Sequence, residues 1–194
     1  MNFFENINHI INWWLNNFIL NNNLENCIGF FSDFPIFFLP SFLVLVWLYW
    51  SFIKQNNEEK NKLIYIFYSV VFAIIINLII QQFYFEQRPS IFVNTILEHL
   101  PDNSFPSDHA TVSFTFLISL FFAWYKKISL WYLPFVLLMN FSRIAWWIHW
   151  FFDIIAWLIV WIFSSVVFFK YFFINKIFDK FNNVVIKILN YIKL

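Results

Sequence analysis

The sequence predicts an all-α membrane protein, a polytopic helix bundle of five main spans with an N-terminal amphipathic or sixth helix. Three observations predict it. Hydrophobic residues make up 61% of the 194 residues and charged residues only 12%, against roughly 45–50% and about 25% in soluble domains. The 31 Phe and 11 Trp are more than a soluble fold could carry without large apolar patches in water. The apolar residues also gather into stretches near the ~20 residues that carry a helix across ~30 Å of hydrocarbon. Lipid offers no partner to an unpaired backbone group, so each crossing is helical.

The elements follow in order. Over residues 1–22, Phe3, Ile7, Ile11, Trp14 and Phe18 share one helical face and Glu5, Asn8, Asn12 and Asn16 another. This predicts an amphipathic helix lying in the interface, or else the first turns of a longer first span. Positively charged residues are missing from its start, so it does not read as a secretory signal. Five apolar stretches follow over 34–53, 63–85, 107–125, 128–146 and 151–173. Pro35 and Pro40 fall at the start of the first, where proline is tolerated. Residues 176–194 alternate Ile, Val and Leu with Lys at helical spacing, which predicts a basic amphipathic tail on the inner membrane surface. No internal repeat or second domain is visible, so residues 1–194 form one domain with the helix bundle over 34–173.

Charge sets the expected orientation. Threading five spans puts all ten Lys, at 54, 60, 62, 126, 127, 170, 176, 180, 187 and 193, on one side. That side is expected to be the cytoplasm. The two Arg, Arg88 and Arg143, fall on the other. A net charge of +1 with no basic run gives no footprint of a nucleic-acid binder. Cys27 is the single cysteine, so no intramolecular disulfide is possible.

Three polar clusters meet the outer boundary. They are Glu86-Gln87-Arg88-Pro89, the segment from His99 to His109, and Ser142-Arg143 with His149 and Asp153. Ionisable groups this close to lipid are costly, and a functional role is the default explanation. His149 and Asp153, four apart, share a helical face, so the carboxylate can hold one ring nitrogen and free the other. His109 is a second imidazole able to move a proton near neutral pH. Arg88 and Arg143 are forked cations suited to phosphate oxygens. Ser107 is placed to cap the helix that follows it, aiming free N–H groups at an anion. Together these describe a phosphoryl-transfer site. Singly, each has a plainer role: an interfacial anchor for either arginine, a structural pair for His149 and Asp153, ordinary loop residues for Glu98, His99 and Asp102. Zinc binding by His99, His109, His149 and Asp153 is a rival chemistry, though no compact ligand spacing supports it. A transporter subunit or inactive scaffold is a non-enzymatic alternative.

Ser142-Arg143, five residues, His149, three residues and Asp153 resemble the third motif of the type-2 phosphatidic acid phosphatase superfamily. Pro106-Ser107-Asp108-His109 resembles its second motif, and Arg88-Pro89 the end of its first. Tyr84-Phe85-Glu86 before Arg88, with Asp108 in the second motif, is similar to the bacitracin-resistance type of undecaprenyl-diphosphate phosphatase within that superfamily. Gln81 stands where the long form of the first motif has Lys. The resemblance implies catalysis by His149 as nucleophile, Asp153 as its orienting group and His109 as acid and then base. It implies phosphate binding by Arg88, Arg143 and Ser107, within a set that takes in Ser142 and Asp108. No metal or other cofactor is expected. The implied partners are a polyprenyl diphosphate lipid and the bilayer, with no obligate protein partner. The implied location is the bacterial plasma membrane, with the site facing the periplasm or exterior. Phosphatidic acid, phosphatidylglycerol phosphate and phosphorylated glycolipids are alternative substrates.

Overall fold

The structure, a computed structural model, describes residues 3–91, 103–156 and 158–191. Glu98, His99, Asp102 and Lys193 lie outside the described residues. Among those described, the chain is a helix bundle without strands, with one isolated antiparallel bridge between Gln87 and Asn103. The helices are α1 (Phe3–Asn21), α2 (Glu25–Asp33), α3 (Phe38–Leu48), α4 (Asn57–Phe83), α5 (Asp108–Phe122), α6 (Lys126–Ala145), α7 (Phe151–Ala156), α8 (Leu158–Val166) and α9 (Asp179–Tyr191). Four helical stretches are long and apolar enough to cross a membrane: Glu25–Ile53, Asn57–Phe83, Lys126–Ala145 and Phe151–Phe173. The multi-pass membrane architecture is therefore as the composition predicts.

Two spans differ from expectation. The first begins at Glu25, nine residues before the expected start. Pro35 lies inside it, where residues 34–37 tighten into a 3₁₀ turn between α2 and α3. Proline lacks the N–H of a regular helical bond, and a 3₁₀ turn absorbs that loss. The third, α5, has only 15 residues, about 22 Å of helix. Ser107 caps its start, accepting from the Ala110 N–H at 3.4 Å. It ends before Trp124, whose φ of 70° turns the chain into the left-handed region.

This short helix is the central one. It packs against α4, α6 and α8, and its buried face carries Ala110, Thr111, Ser113, Thr115 and Ser119. Small side chains let helix backbones approach closely in a membrane bundle. Three hydroxyls tie the centre together: Ser119 lies 2.5 Å from Ser69 on α4 and donates to Ser165 on α8 at 3.2 Å. Aromatic and aliphatic side chains fill the space around them, including Phe42, Tyr65, Phe116, Tyr132 and Phe168.

The two ends of the bundle differ chemically. At one end, Asn56 caps α4, accepting from the N–H groups of Glu58 and Glu59. There Lys62 pairs with Glu59 at 2.5 Å, and Glu59 accepts from Tyr125. Helix α9 docks at this end. Asn182 bonds Asn61 and Tyr68, Asp179 accepts from Asn61 and Tyr65, and Asn190 accepts from Lys60 at 2.6 Å. The other end gathers the C-termini of α4 and α6, the N-termini of α5 and α7, and the end of α2. The candidate residues lie there.

Candidate active site

The site is built on a break between two helices. α6 ends at Ala145 and α7 starts at Phe151, and His149 sits in the five residues between. Trp147 adopts φ 58°, and the turn closes with two backbone bonds, Ile148 N–H to Arg143 O at 3.0 Å and Trp147 N–H to Ile144 O at 3.1 Å. This is the double-bonded Schellman end of a helix. The His149 N–H also donates to the Arg143 carbonyl, at 3.2 Å. One turn thus fixes Arg143 and His149 relative to each other.

His149 is 2% exposed, and its two ring nitrogens face opposite chemistry. Nδ1 lies 2.8 Å from the Ser104 carbonyl oxygen, which can only accept. Nε2 lies 3.3 Å from Nη1 of Arg88, which can only donate. The proton therefore sits on Nδ1 and the lone pair on Nε2. Burial, and then the positive charge of Arg88, push the imidazole pKa well below its ordinary value. It is neutral at pH 7, as a nitrogen nucleophile requires. Arg143 and His109 add to that effect through space, so both belong to the same electrostatic neighbourhood.

Asp153 stands 3.8 Å from Nδ1, on the proton-bearing side of the ring. It does not take the Nδ1 proton directly. Its Oδ2 accepts from the Ser104 hydroxyl at 2.5 Å and from the Trp150 N–H at 2.9 Å, so it orders the peptide whose carbonyl holds the ring. The Glu86 carboxyl hydrogen-bonds Asp153, and its pKa is raised to about 7 by burial first and the Asp153 charge second. A cavity of about 490 Å³ opens beside this pair, lined by Glu5, Glu86 and Asp153 with Phe4, Phe105 and Phe152 among its walls. Three carboxyl groups make it a poor seat for a phosphate. The cationic seat is on the other face of His149.

That face is formed by Arg88, Arg143 and His109. Arg88 is buried and anchored by donation to the Ile148 carbonyl at 2.9 Å. Nη2 of Arg143 lies 2.6 Å from His109 Nδ1, and its Nη1 bonds Asp33 Oδ1 at 3.0 Å. His109 Nε2 lies 3.2 Å from the same Asp33 oxygen. Ser107 is buried at the N-terminus of α5, whose dipole adds positive potential. The structure therefore brings His149, Asp153, His109, Arg88, Arg143 and Ser107 to one end of the bundle. Two expected phosphate ligands turn elsewhere. The Ser142 hydroxyl donates back to Met139 O at 2.7 Å. The exposed Asp108 carboxyl accepts from Asn77 at 2.9 Å.

Four positions hold the site through contacts that the sequence does not announce. Asp33 lay just outside the expected first span. Ser104 was seen in its cluster, but its carbonyl could not be recognised as the partner of Nδ1. Asn103 pins the loops, accepting from Glu86 N at 2.9 Å and donating to Tyr84 O at 2.7 Å. Asn12 on α1 donates to the His149 carbonyl at 2.9 Å. Its membership of an asparagine row at spacing four was the available signal.

The PAP2 superfamily model matches residues 62–177. Among curated proteins, the chain is 29% identical over 153 residues to undecaprenyl-diphosphatase BcrC of Bacillus subtilis, covering 78% of this chain and 76% of that one. It is also 29% identical over 153 residues to bacitracin transport permease protein BcrC of Bacillus licheniformis, covering 75% of this chain and 70% of that one. No solved structure matches it. The match takes in every motif residue around His149, and on it the chain belongs to the PAP2 superfamily.

Proposed function

We propose that this protein removes the terminal phosphate of undecaprenyl diphosphate, giving undecaprenyl phosphate and phosphate, through a phosphohistidine on His149. The observation that carries the proposal is the polarity of that imidazole: Nδ1 donates to Ser104 O while Nε2 presents its lone pair toward Arg88, with the charge of Arg143 acting on the ring through space. Similarity to an undecaprenyl-diphosphatase supports the substrate.

In the first step Nε2 attacks the terminal phosphorus. The N–P bond forms, the P–O bond to the bridging oxygen breaks, and undecaprenyl phosphate leaves. Arg88 and Arg143 stabilise the spread negative charge of the transferring group. His109, protonated in the substrate complex, gives one proton to the bridging oxygen and becomes neutral. The leaving group is itself a phosphate monoester, so it asks less of an acid than an alkoxide would. In the second step neutral His109 takes a proton from water as the water oxygen attacks phosphorus. The N–P bond breaks, phosphate leaves and His149 returns to its starting tautomer. Two guanidinium groups supply the positive charge, so no step is assigned to a metal.

The lysine-rich end and the site end lie at opposite ends of the bundle, and the positive-inside rule then supports a site facing away from the cytoplasm. In a bacterial plasma membrane this is the periplasmic or exterior face. The deciding experiment measures phosphate release from undecaprenyl diphosphate in detergent with EDTA. Wild type is expected to turn over, and His149→Ala to lose on the order of 10³-fold or more. Turnover by His149→Ala, or a demand for added metal, overturns the mechanism. Preference for phosphatidic acid over the diphosphate overturns the substrate.

A further inference from the structure

The N-terminal helix lies outside the matched family region, and the face it buries is part polar. Phe3, Phe4, Ile10, Trp13, Trp14 and Phe18 are exposed, while Asn8 and Asn12 are buried beside Leu15 and Ile19. The asparagine face expected toward water turns instead to the break between α6 and α7. Asn8, Asn12 and Asn16 recur every four residues and so share one face. Asn12 Nδ2 donates to the carbonyls of Ile144 at 3.0 Å and His149 at 2.9 Å. Asn16 Nδ2 donates to Ala145 O at 2.9 Å. Asn8 Oδ1 accepts from the Phe152 N–H at 3.1 Å, in the first turn of α7. His9 packs edge-on against Trp150, ring centroids 4.7 Å apart.

These contacts answer a specific need. The last carbonyls of a helix and the first N–H groups of the next have no intrahelical partner, and at a buried break water does not serve them. The Schellman turn satisfies Arg143 and Ile144 in part; the amides of α1 meet the rest. Asn12 is the informative member. Its two donated bonds span the turn from the last residues of α6 to the His149 peptide itself, and its own Oδ1 is buried without a hydrogen-bond partner among the described residues. An amide buried with one end unsatisfied carries a cost, so its value lies in what its N–H groups hold.

We propose that α1 is a clamp for the nucleophile turn, with Asn12 a positioning residue that fixes the His149 backbone for in-line attack on a lipid diphosphate. The proposal rests on His149 being the nucleophile. A misplacement of about 1 Å in a nucleophile can cost on the order of 10²-fold in rate, whereas substrate binding depends on Arg88 and Arg143. Loss of the clamp therefore falls on kcat more than on KM.

The test uses full-length protein and undecaprenyl diphosphate in detergent. Asn12→Asp replaces a double donor with a carboxylate facing two carbonyls; Asn12→Leu removes the donors. Asn182→Leu is the control, a buried asparagine at the opposite end that bonds Asn61 and Tyr68. Both Asn12 variants are expected to lose about tenfold or more in kcat with KM changed less than about threefold, and with thermal midpoints no lower than that of Asn182→Leu. Asn12→Gln, which keeps both donors on a longer arm, recovers part of the loss. The proposal is overturned if the Asn12 variants keep kcat within about twofold of wild type, or if their activity merely follows the thermal midpoint as in Asn182→Leu. Should Asn12→Leu not fold, Asn12→Asp and Asn16→Leu decide by the same criteria. His149→Ala runs in parallel: turnover there sinks the nucleophile assignment, while a silent His149→Ala beside normal Asn12 variants sinks the clamp alone.

Discussion

At the scale of single residues, the site is organised by what each nitrogen of His149 faces. Where a carboxylate alone fixes the tautomer of a catalytic histidine, replacing it by the amide costs ~10⁴-fold. Here the Ser104 carbonyl fixes the tautomer and Asp153 acts one bond further out. Asp153→Asn is accordingly expected to lower kcat by only about 10–100-fold, well short of the loss in His149→Ala. Parallel kcat measurements on the two variants check this; equal losses mean that Asp153 takes the Nδ1 proton directly during turnover. The neighbouring Glu86 yields a stability prediction. Its folded-state pKa of about 7 lies above the ordinary 4.5, so the folded chain holds this proton after the unfolded chain has lost it. The resulting stability is present below about pH 4.5 and is lost as pH rises through about 7. Glu86→Gln removes the titration. Its thermal midpoint is expected to exceed that of wild type at pH 8 and to match it at pH 5, in detergent unfolding curves taken at both pH values.

At the scale of elements, the most instructive comparison is between α5 and α1. In α5 the motif serine and the apolar run point the same way, so its start could be read from the residues, whereas its short length and central place could not. The hydroxyl triplet at its centre invites a test. Ser119→Ala leaves Ser69 bonded to Ile66 O and Ser165 bonded to Thr115 O, so its cost is expected to stay below about 1 kcal/mol. Ser119→Leu forces a branched side chain between close helices and is expected to cost about 1–3 kcal/mol, read as a lowered thermal midpoint. Helix α1 was legible as a helix but not in its direction of burial. An amphipathic pattern names two faces; whether the polar one seeks water or the carbonyls of a broken helix depends on a turn more than 120 residues away. Asp33 was missed for a related reason. Proline ordinarily marks the start of a span, but here a 3₁₀ turn carries the helix through it. The Trp147 turn was hidden too, because a left-handed helix end usually announces itself with glycine, and the sole glycine of this chain is Gly29.

At the scale of the whole molecule, charge divides the bundle lengthwise. Lys60 lies over Trp47 and Lys62 over Trp124 at the end where α9 docks, whereas Arg88 and Arg143 are buried at the other end. By the positive-inside rule the lysine end is expected in the cytoplasm under the proposed orientation, and the two buried guanidiniums, which bond inside the protein, weigh little in that count. The proposed reaction needs this arrangement, because a diphosphate headgroup cannot cross the hydrocarbon unaided and must meet His149 on the face where it is exposed. Single cysteines give the orientation directly. In a Cys27→Ser background, Asn22→Cys marks the exposed turn between α1 and α2 at the site end, and Glu58→Cys marks the exposed first turn of α4 at the lysine end. A membrane-impermeant maleimide added to intact bacterial cells, or to spheroplasts where an outer membrane would bar it, is expected to label the cysteine at position 22 at once. The cysteine at 58 is expected to react only after the plasma membrane is permeabilised. The reverse order places the site in the cytoplasm, and a diphosphate presented outside would then be beyond its reach however well the pocket is made.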